Sequence, residues 1–265
     1  MMETVRYEIA GGVATLTLNR PAQRNAIDLQ MRTEIAQCIE SLQRDREVRA
    51  LVITGAGGSF CAGGDLRGIQ AAQLDGAGWR ARMKDTHAWV GALIALDRPV
   101  IAAVDGPAFG AGFSLALAAD FVVASPRARF CLSFMKVGLV PDLGALYTLP
   151  RVVGVQRARE LMLSAREVDA DEAQRLGIVA EVVDAGKLLP RAQAIAASFA
   201  GASPLAVSLV KRALAAAPAA SLDTMLDFEA DAQALCFGSS GHREAVARFL
   251  DKQPAAFQWP TGADT

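Results

Sequence analysis

The chain has 265 residues, of which 52% are hydrophobic and 21% are charged, and its formal net charge is −1. This length and apolar content are sufficient for a large buried core, which excludes a disordered chain. The balanced charge gives no general attraction to nucleic acid or to acidic membranes. We therefore expect a globular protein that binds neither nucleic acid nor membrane.

The sequence indicates no targeting segment and no metal site. Residues 1–9 have neither the basic nor the apolar part of a signal peptide, and the apolar stretches within 100–119 are interrupted by aspartate. The four cysteines are far apart, and His87 and His242 do not have the spacing of metal ligands. We expect a cytoplasmic protein that contains no bound metal.

Strands and helices alternate through the first two-thirds of the chain. Apolar residues alternate over 5–9 and 13–18, which predicts a β-hairpin. A helix is predicted to begin after Asp28 and to bury one face as far as Leu42. Further strands are predicted at 50–54, 100–104, 121–124, 129–134 and 178–183, and further helices at 79–96, 115–119, 156–163 and 169–176. This alternation favours an α/β fold with a mainly parallel sheet.

Beyond Leu188 the pattern is helical only. Helices are predicted at 189–200, 204–216, 221–236 and 242–250. We therefore divide the chain into a core at 1–200 and a helical region at 201–265. From the pattern alone, this region is either a surface that packs on another subunit or a simple helical cap.

Two glycine-rich turns carry the functional signal: Phe60-Cys-Ala-Gly-Gly-Asp-Leu66 and Ala108-Phe-Gly-Ala-Gly-Phe-Ser114. Each follows an apolar run typical of a buried strand, and the second leads into a helix. Free backbone N–H groups at two such turns are suited to hold one developing oxyanion. The alternative is that the glycines serve backbone geometry alone. No dinucleotide fingerprint and no phosphate-binding loop occurs, so no nucleotide cofactor is expected.

The order and spacing of several short motifs identify a family. The chain resembles the crotonase, or enoyl-CoA hydratase/isomerase, superfamily over nearly its whole length. The motifs that carry this resemblance are Leu18-Asn-Arg-Pro, Arg24-Asn-Ala26, the two glycine turns, Arg98-Pro-Val-Ile-Ala-Ala-Val-Asp-Gly106 and Gly138-Leu-Val-Pro-Asp142. The resemblance implies a spiral of ββα units and a C-terminal all-α region that forms homotrimers or dimers of trimers. It also implies an acyl-CoA thioester as substrate, with coenzyme A as part of the substrate and no separate cofactor.

The resemblance also implies roles for individual residues. The oxyanion would be held by the N–H groups of Gly64 and Ala111, although the family usually has glycine at the second position. Coenzyme A would lie along two segments, and one further residue would form an apolar wall of the pocket. These binding positions correspond to Arg24, Ala26, Ala62, Asp65, Leu66 and Phe134. From its own sequence context, Arg24 is equally well explained as an ordinary exposed arginine.

The superfamily's hydratases use two glutamates, and Ser114 and Phe134 stand at those positions here. The remaining acid is Asp142, at a place where the isomerases carry an acid and where the ring-epoxide isomerases of phenylacetyl-CoA breakdown carry aspartate. One carboxylate is sufficient to move a proton along an acyl chain. Burial of Asp142 among Phe134, Leu139, Val140 and Leu143 is expected to raise its pKa.

Several alternatives remain open from the sequence. Asp142 is also typical of a turn that aspartate stabilises through backbone hydrogen bonds. The function alternatives are a hydratase-like lyase, a non-catalytic acyl-CoA-binding homologue, and a hydrolase. The hydrolase would use Ser114, in an elbow-like context, with His242 downstream. RNA binding is disfavoured by the balanced charge.

Overall fold

The computed structural model describes residues 2–261, in which two β-sheets are built from nine strands. The strands are β1 (Val5–Ala10), β2 (Val13–Leu18), β3 (Ala50–Gly55), β4 (Val100–Val104), β5 (Pro107–Phe109), β6 (Phe121–Ala124), β7 (Arg129–Cys131), β8 (Val168–Asp169) and β9 (Glu181–Val182). The larger sheet has the order β1-β2-β3-β4-β6-β9, and the smaller has the order β5-β7-β8. In the larger sheet only the β1–β2 hairpin is antiparallel. The carboxyl ends of β2, β3, β4 and β6 therefore share one edge. The first glycine turn follows β3 at this edge, whereas the second follows β5 of the smaller sheet.

Ten α-helices surround these sheets within the described residues. They are α1 (Leu29–Arg44), α2 (Leu66–Ala71), α3 (Gly76–Ile94), α4 (Ala111–Leu117), α5 (Ala145–Ser164), α6 (Ala170–Arg175), α7 (Leu188–Ser198), α8 (Pro204–Ala216), α9 (Leu222–Phe237) and α10 (Ser240–Leu250). Asp28 caps α1 by accepting a hydrogen bond from the Met31 N–H at 2.8 Å, as the sequence predicts. The buried face of α1 includes Met31, Ile35 and Leu42, which confirms the predicted periodicity.

Apolar side chains cover both faces of the larger sheet. Leu51 and Ile53 of β3 join the main core with α1, α3 and α4, whereas Val52 points to the opposite face. There it packs in a second cluster with Ile195 of α7. Burial on both faces explains why the parallel strands have continuous apolar runs rather than strict alternation. The α/β fold class expected from the sequence is confirmed.

The structure differs from the sequence predictions where elements are short or broken. Helix α5 begins at Ala145 rather than at 156, and Gly154, with φ 76°, breaks its helical backbone. The strand predicted over 129–134 ends at Cys131 and is followed by a 3-10 turn at Ser133–Val137. The strand predicted over 178–183 is limited to β9. Helix α2 and strands β5 and β8 were not predicted, because they have two to six residues and too few positions to show a period.

The helices after residue 201 bury few side chains of their own. Helices α9 and α10 contain no buried residue, and several large apolar side chains on them are exposed. The last described residues return to the core, where the Trp259 ring lies 5.3 Å from that of Phe121 and the Phe257 ring lies 5.4 Å from that of Phe199.

Within residues 2–261, no single helix has the length and hydropathy needed to cross a membrane. One helix pair, Leu188–Gly201 with Pro204–Ala219, meets these two criteria together but is bent by 114°.

Candidate active site

The first glycine turn pairs with the segment before α1. The Ile27 N–H donates to the Gly63 carbonyl at 2.8 Å, and the Asp65 N–H donates to the Ile27 carbonyl at 3.0 Å. Ile27 therefore bonds to the residues on either side of Gly64, as in a parallel bridge. In that geometry the N–H of Gly64 points away from Ile27 and is not used in the pairing.

The second glycine turn packs directly on the first. The Phe109 N–H donates to the Cys61 carbonyl at 2.8 Å. A Cβ at Gly112 would overlap the backbone of Cys61, and a Cβ at Gly63 would lie 2.9 Å from the Phe109 carbonyl oxygen and 3.7 Å from the Ala111 nitrogen. Glycine is therefore required at both positions for the two turns to touch.

The Ala111 amide is the first of α4, which follows the Gly110 cap. An amide in the first turn of a helix has no partner within the helix. The two expected oxyanion donors, Gly64 and Ala111, thus lie on adjoining turns. The N–H group of each lies outside the backbone hydrogen bonds that hold its own turn in place.

Phe134 lines this junction on one side. Its side chain is buried, and its Cζ atom lies 3.9 Å from the position that a Cβ on Gly110 would occupy. The ring therefore provides an apolar surface next to the cap of α4. Leu143 is also buried.

The expectation that Leu139 and Val140 bury Asp142 is wrong. Their side chains are 49% and 72% exposed, because the 3-10 turn ends at Gly138 in a left-handed conformation and the chain then runs along the surface. The loop instead packs on α3: a Cβ on Gly144 would lie 3.1 Å from Ile94 Cδ1 and 3.8 Å from Val90 Cγ1.

The Asp142 carboxylate has the electrostatic character of a proton-transfer group. Its Oδ1 atom is buried and has no hydrogen-bond partner within residues 2–261. Burial raises the pKa of Asp142 from 3.8 to about 6, although the charge of Arg32 and its own backbone N–H lower it. The turn itself is closed by the main chain, where the Ala145 N–H donates to the Asp142 carbonyl at 3.0 Å.

Ser114 and His242 are not brought together as a hydrolase would require. The Ser114 hydroxyl is buried within α4 and donates to the Gly110 carbonyl at 3.2 Å. The His242 ring packs edge-on against Phe237 at 5.0 Å. Within the described chain no hydrogen bond joins the two side chains.

The segments expected to bind coenzyme A run side by side. The Ala62 N–H donates to the Arg24 carbonyl at 2.9 Å, and the side chain of Arg24 is exposed. Ala26 and Ala62 are half-buried and Leu66 is exposed, so these positions border the surface.

Asp65 has structural partners in the same region. It caps α2 by accepting from the Gly68 N–H at 3.2 Å, and it forms an ion pair with Arg20 at 3.2 Å. The Gly68 hydrogen bond is the main reason that the pKa of Asp65 lies below its usual value.

Sequence reasoning gave no individual role to Arg20, Asn25 or Arg32, although Arg20 and Asn25 lie in motifs that carry the family resemblance. The Asn25 side chain is buried and donates to the carbonyls of Ala56 and Ser59 at 2.9 and 2.6 Å, which holds the first turn in place. Arg32 was not singled out because a single charged residue on an amphipathic helix forms no recognisable motif.

Within residues 2–261, no group of His, Cys, Asp and Glu side chains is arranged to hold a metal ion.

Comparison with known proteins gives a consistent result. The enoyl-CoA hydratase/isomerase family model matches residues 8–260. The chain is 39% identical to the 1,2-epoxyphenylacetyl-CoA isomerase of Escherichia coli K12, over 97% of this chain and 99% of that protein. It is 34% identical to the short-chain-enoyl-CoA hydratase of Clostridium acetobutylicum, over 95% of this chain and 96% of that protein.

A solved enoyl-CoA hydratase/isomerase from Cupriavidus metallidurans CH34 has the same fold. It superimposes with a TM-score of 0.93 at 44% identity, and the match covers 98% of each chain. Both the matched family model and the extent of these similarities lead to one conclusion: this chain belongs to the enoyl-CoA hydratase/isomerase family.

Proposed function

We propose that this protein is an acyl-CoA isomerase in which Asp142 is the single acid and base. The observation that carries the proposal is the buried Asp142 carboxylate, whose Oδ1 has no hydrogen-bond partner among residues 2–261 and whose pKa burial raises to about 6. Such a group is ionised for most of the time at neutral pH and still accepts a proton readily. Ser114 and Phe134 supply no second carboxylate.

The reaction needs one proton to move along the acyl chain. The Asp142 carboxylate removes a proton from carbon, and the electron pair moves onto the thioester oxygen to form an enolate. The Gly64 and Ala111 N–H groups donate to that oxygen. The carboxylic acid then returns the same proton at another carbon, so the double bond shifts and the atoms balance.

Coenzyme A belongs to the substrate in this proposal. Its pantetheine and nucleotide parts would lie along Arg24–Ala26 and Ala62–Leu66, with Arg24 near a phosphate. Phe134 would cover the acyl group. The name of the relative from Escherichia coli supports an aromatic ring-epoxide acyl group, and linear enoyl groups fit the same chemistry.

Hydration is the second candidate, because several relatives have hydratase names. Water addition in the superfamily relies on two carboxylates, whereas here one position is a buried serine bonded to Gly110 and the other is a buried phenylalanine. This difference favours isomerisation.

The decisive experiment is Asp142→Asn, which keeps the shape of the side chain and removes its basicity. Isomerisation of a panel of enoyl-CoA and ring-epoxide CoA esters should fall by about 100-fold or more, while acyl-CoA affinity changes little. Exchange of solvent deuterium into substrate should stop as well. Asp184→Asn, at an exposed turn, is the matched control. Undiminished exchange in the Asp142 variant would assign the base elsewhere.

A further inference from the structure

A row of side chains on α3 leads from the Asp142 loop toward the N-terminal end of that helix. Arg82, Thr86, Val90 and Ile94 follow one another at four-residue intervals and therefore lie on the same face. The loop that carries Asp142 packs on the Val90 and Ile94 end of this row through Gly144. Thr86 and then Arg82 continue the row, one helical turn apart.

Arg32 reaches the same row from α1. Its guanidinium donates to the hydroxyl of Thr86, which is buried, at 3.4 Å, and Thr86 donates to the Arg82 carbonyl at 3.0 Å. The guanidinium of Arg32 therefore lies between α1 and α3, about one turn from the residue on which the Asp142 loop packs. Its charge acts on Asp142 and on Arg82. Burial is the main reason that the pKa of Arg32 is lowered, and Arg82 lowers it further.

Two buried polar atoms in this region have no hydrogen-bond partner in the described part of the chain. The Arg82 Nε atom is buried and lacks a hydrogen-bond partner within residues 2–261, and the same holds for Asp142 Oδ1. The Arg82 guanidinium is fixed 5.3 Å above the centre of the Trp79 ring. Buried polar atoms in native proteins are nearly always paired, so an unpaired donor and an unpaired acceptor in one region indicate a ligand with polar atoms.

The local charges also favour an electron-rich ligand. The guanidinium groups of Arg32 and Arg82 act on each other, and Arg32 also acts on the Asp142 carboxylate. Asp28 also acts on Arg32, but it forms an ion pair with Arg20 at 3.2 Å and caps α1. A hydrocarbon chain beside these groups would leave the buried Arg82 Nε donor unpaired, whereas an oxygen acceptor would pair with it.

We propose that Arg32 and Arg82, here called the distal arginine pair, recognise an acceptor oxygen on the acyl group of the substrate. This proposal rests on the proposed function, because it takes the space beside Asp142 to be the acyl site. It narrows the substrate class from acyl-CoA esters in general to those whose acyl group carries oxygen beyond the thioester. Both a carboxylate and a neutral oxygen satisfy the guanidinium donors, and a carboxylate also balances the charge.

The first test measures binding, which is independent of turnover. Dissociation constants are measured by calorimetry for succinyl-, glutaryl- and adipyl-CoA, for butyryl-, pentanoyl- and hexanoyl-CoA, and for ω-hydroxyacyl-CoA esters of the same lengths. At one chain length or more, an oxygen-bearing ester should bind about tenfold more tightly than its hydrocarbon counterpart. The dicarboxylic and hydroxy series distinguish an anionic from a neutral oxygen. No preference for oxygen at any length overturns the proposal.

The second test uses variants. Arg82→Met and Arg32→Met should each reduce the ratio of oxygen-bearing to hydrocarbon affinity to near one. Arg80→Met is the matched control, because it removes the same charge from an exposed position on α3 and should leave that ratio unchanged. Equal ratios in the parent and the arginine-pair variants would overturn the proposal. If a variant fails to fold, the ligand series on the parent protein still decides the question.

The two proposals fail in different ways. If Asp142→Asn leaves exchange intact while the oxygen preference and its loss in the variants are observed, the proposed reaction is wrong and the distal arginine pair stands. If exchange depends on Asp142 but all esters of one length bind alike, the reaction stands and the arginine pair does not select substrate.

Discussion

Asp142→Asn should make the protein more stable at neutral pH while it reduces isomerisation by about 100-fold or more. Burial raises the pKa of this carboxyl from 3.8 to about 6, so ionisation of Asp142 costs more free energy in the folded protein than in the unfolded chain. The difference of about two pH units corresponds to about 3 kcal/mol. Asparagine has nearly the same volume and carries no charge, so it avoids this cost of ionisation.

The sign follows from the proton balance. In the unfolded chain Asp142 ionises near pH 3.8, whereas in the folded protein it ionises near pH 6. Between these values the folded state binds more protons than the unfolded state, so raising the pH through this window reduces the stability of the parent. Above about pH 6 the full penalty is present, and below about pH 4 it is absent.

The assay is thermal unfolding of the parent and the Asp142→Asn protein at pH 4, 6 and 7.5, at one protein concentration. Relative to pH 4, the variant should gain roughly 6–12 °C at pH 7.5, from ~3 kcal/mol and ~2–4 °C per kcal/mol. Differences in packing or hydrogen bonding between the two side chains cancel in this comparison because they do not depend on pH. A difference between the two melting temperatures that stays constant from pH 4 to pH 7.5 would refute the assignment of a raised pKa to Asp142.

Four other results are expected. In a stopped-flow pH series, kcat/KM for isomerisation should rise through about pH 6 and then level off, because the proposed base is the ionised Asp142. Crotonyl-CoA, followed by ultraviolet absorbance, should be hydrated very weakly or not at all, and turnover at ordinary enzyme rates would count against the isomerase. Gly112→Ala should reduce acyl-CoA turnover and stability strongly, since its Cβ would overlap the Cys61 backbone, whereas Gly91→Ala, in open space on α3, should be tolerated. Light scattering at micromolar concentration should give a trimer or hexamer, because Leu222, Phe249 and Leu250 are more than two-thirds exposed in one protomer, and a monomer would contradict this.

The sequence alone was sufficient for the fold class and for the position of the glycine turns. The apolar runs of β3 and β4 and the one-sided pattern of α1 predict their elements because burial depends on residues close in the chain. Gly63 and Gly112 lie in the two glycine-rich turns that the sequence analysis identifies. Glycine is needed at these two positions because the backbones of the turns touch there. The proposed role of Asp142 came only from the resemblance to a family, since its Pro-Asp-x-Gly context by itself favours a structural turn.

The tertiary structure decided what surrounds Asp142. Leu139 and Val140, its near neighbours in sequence, turn out to be exposed, and the groups that contact its loop or act on its charge come from α1 and α3, far away in the chain. Arg32 and Arg82 are ordinary charged residues in their own helices, and only the packing of those helices brings their charges together and lets Arg32 act on the Asp142 carboxylate. The energy of a buried charge depends on all neighbours in space, and sequence patterns report neighbours along the chain only.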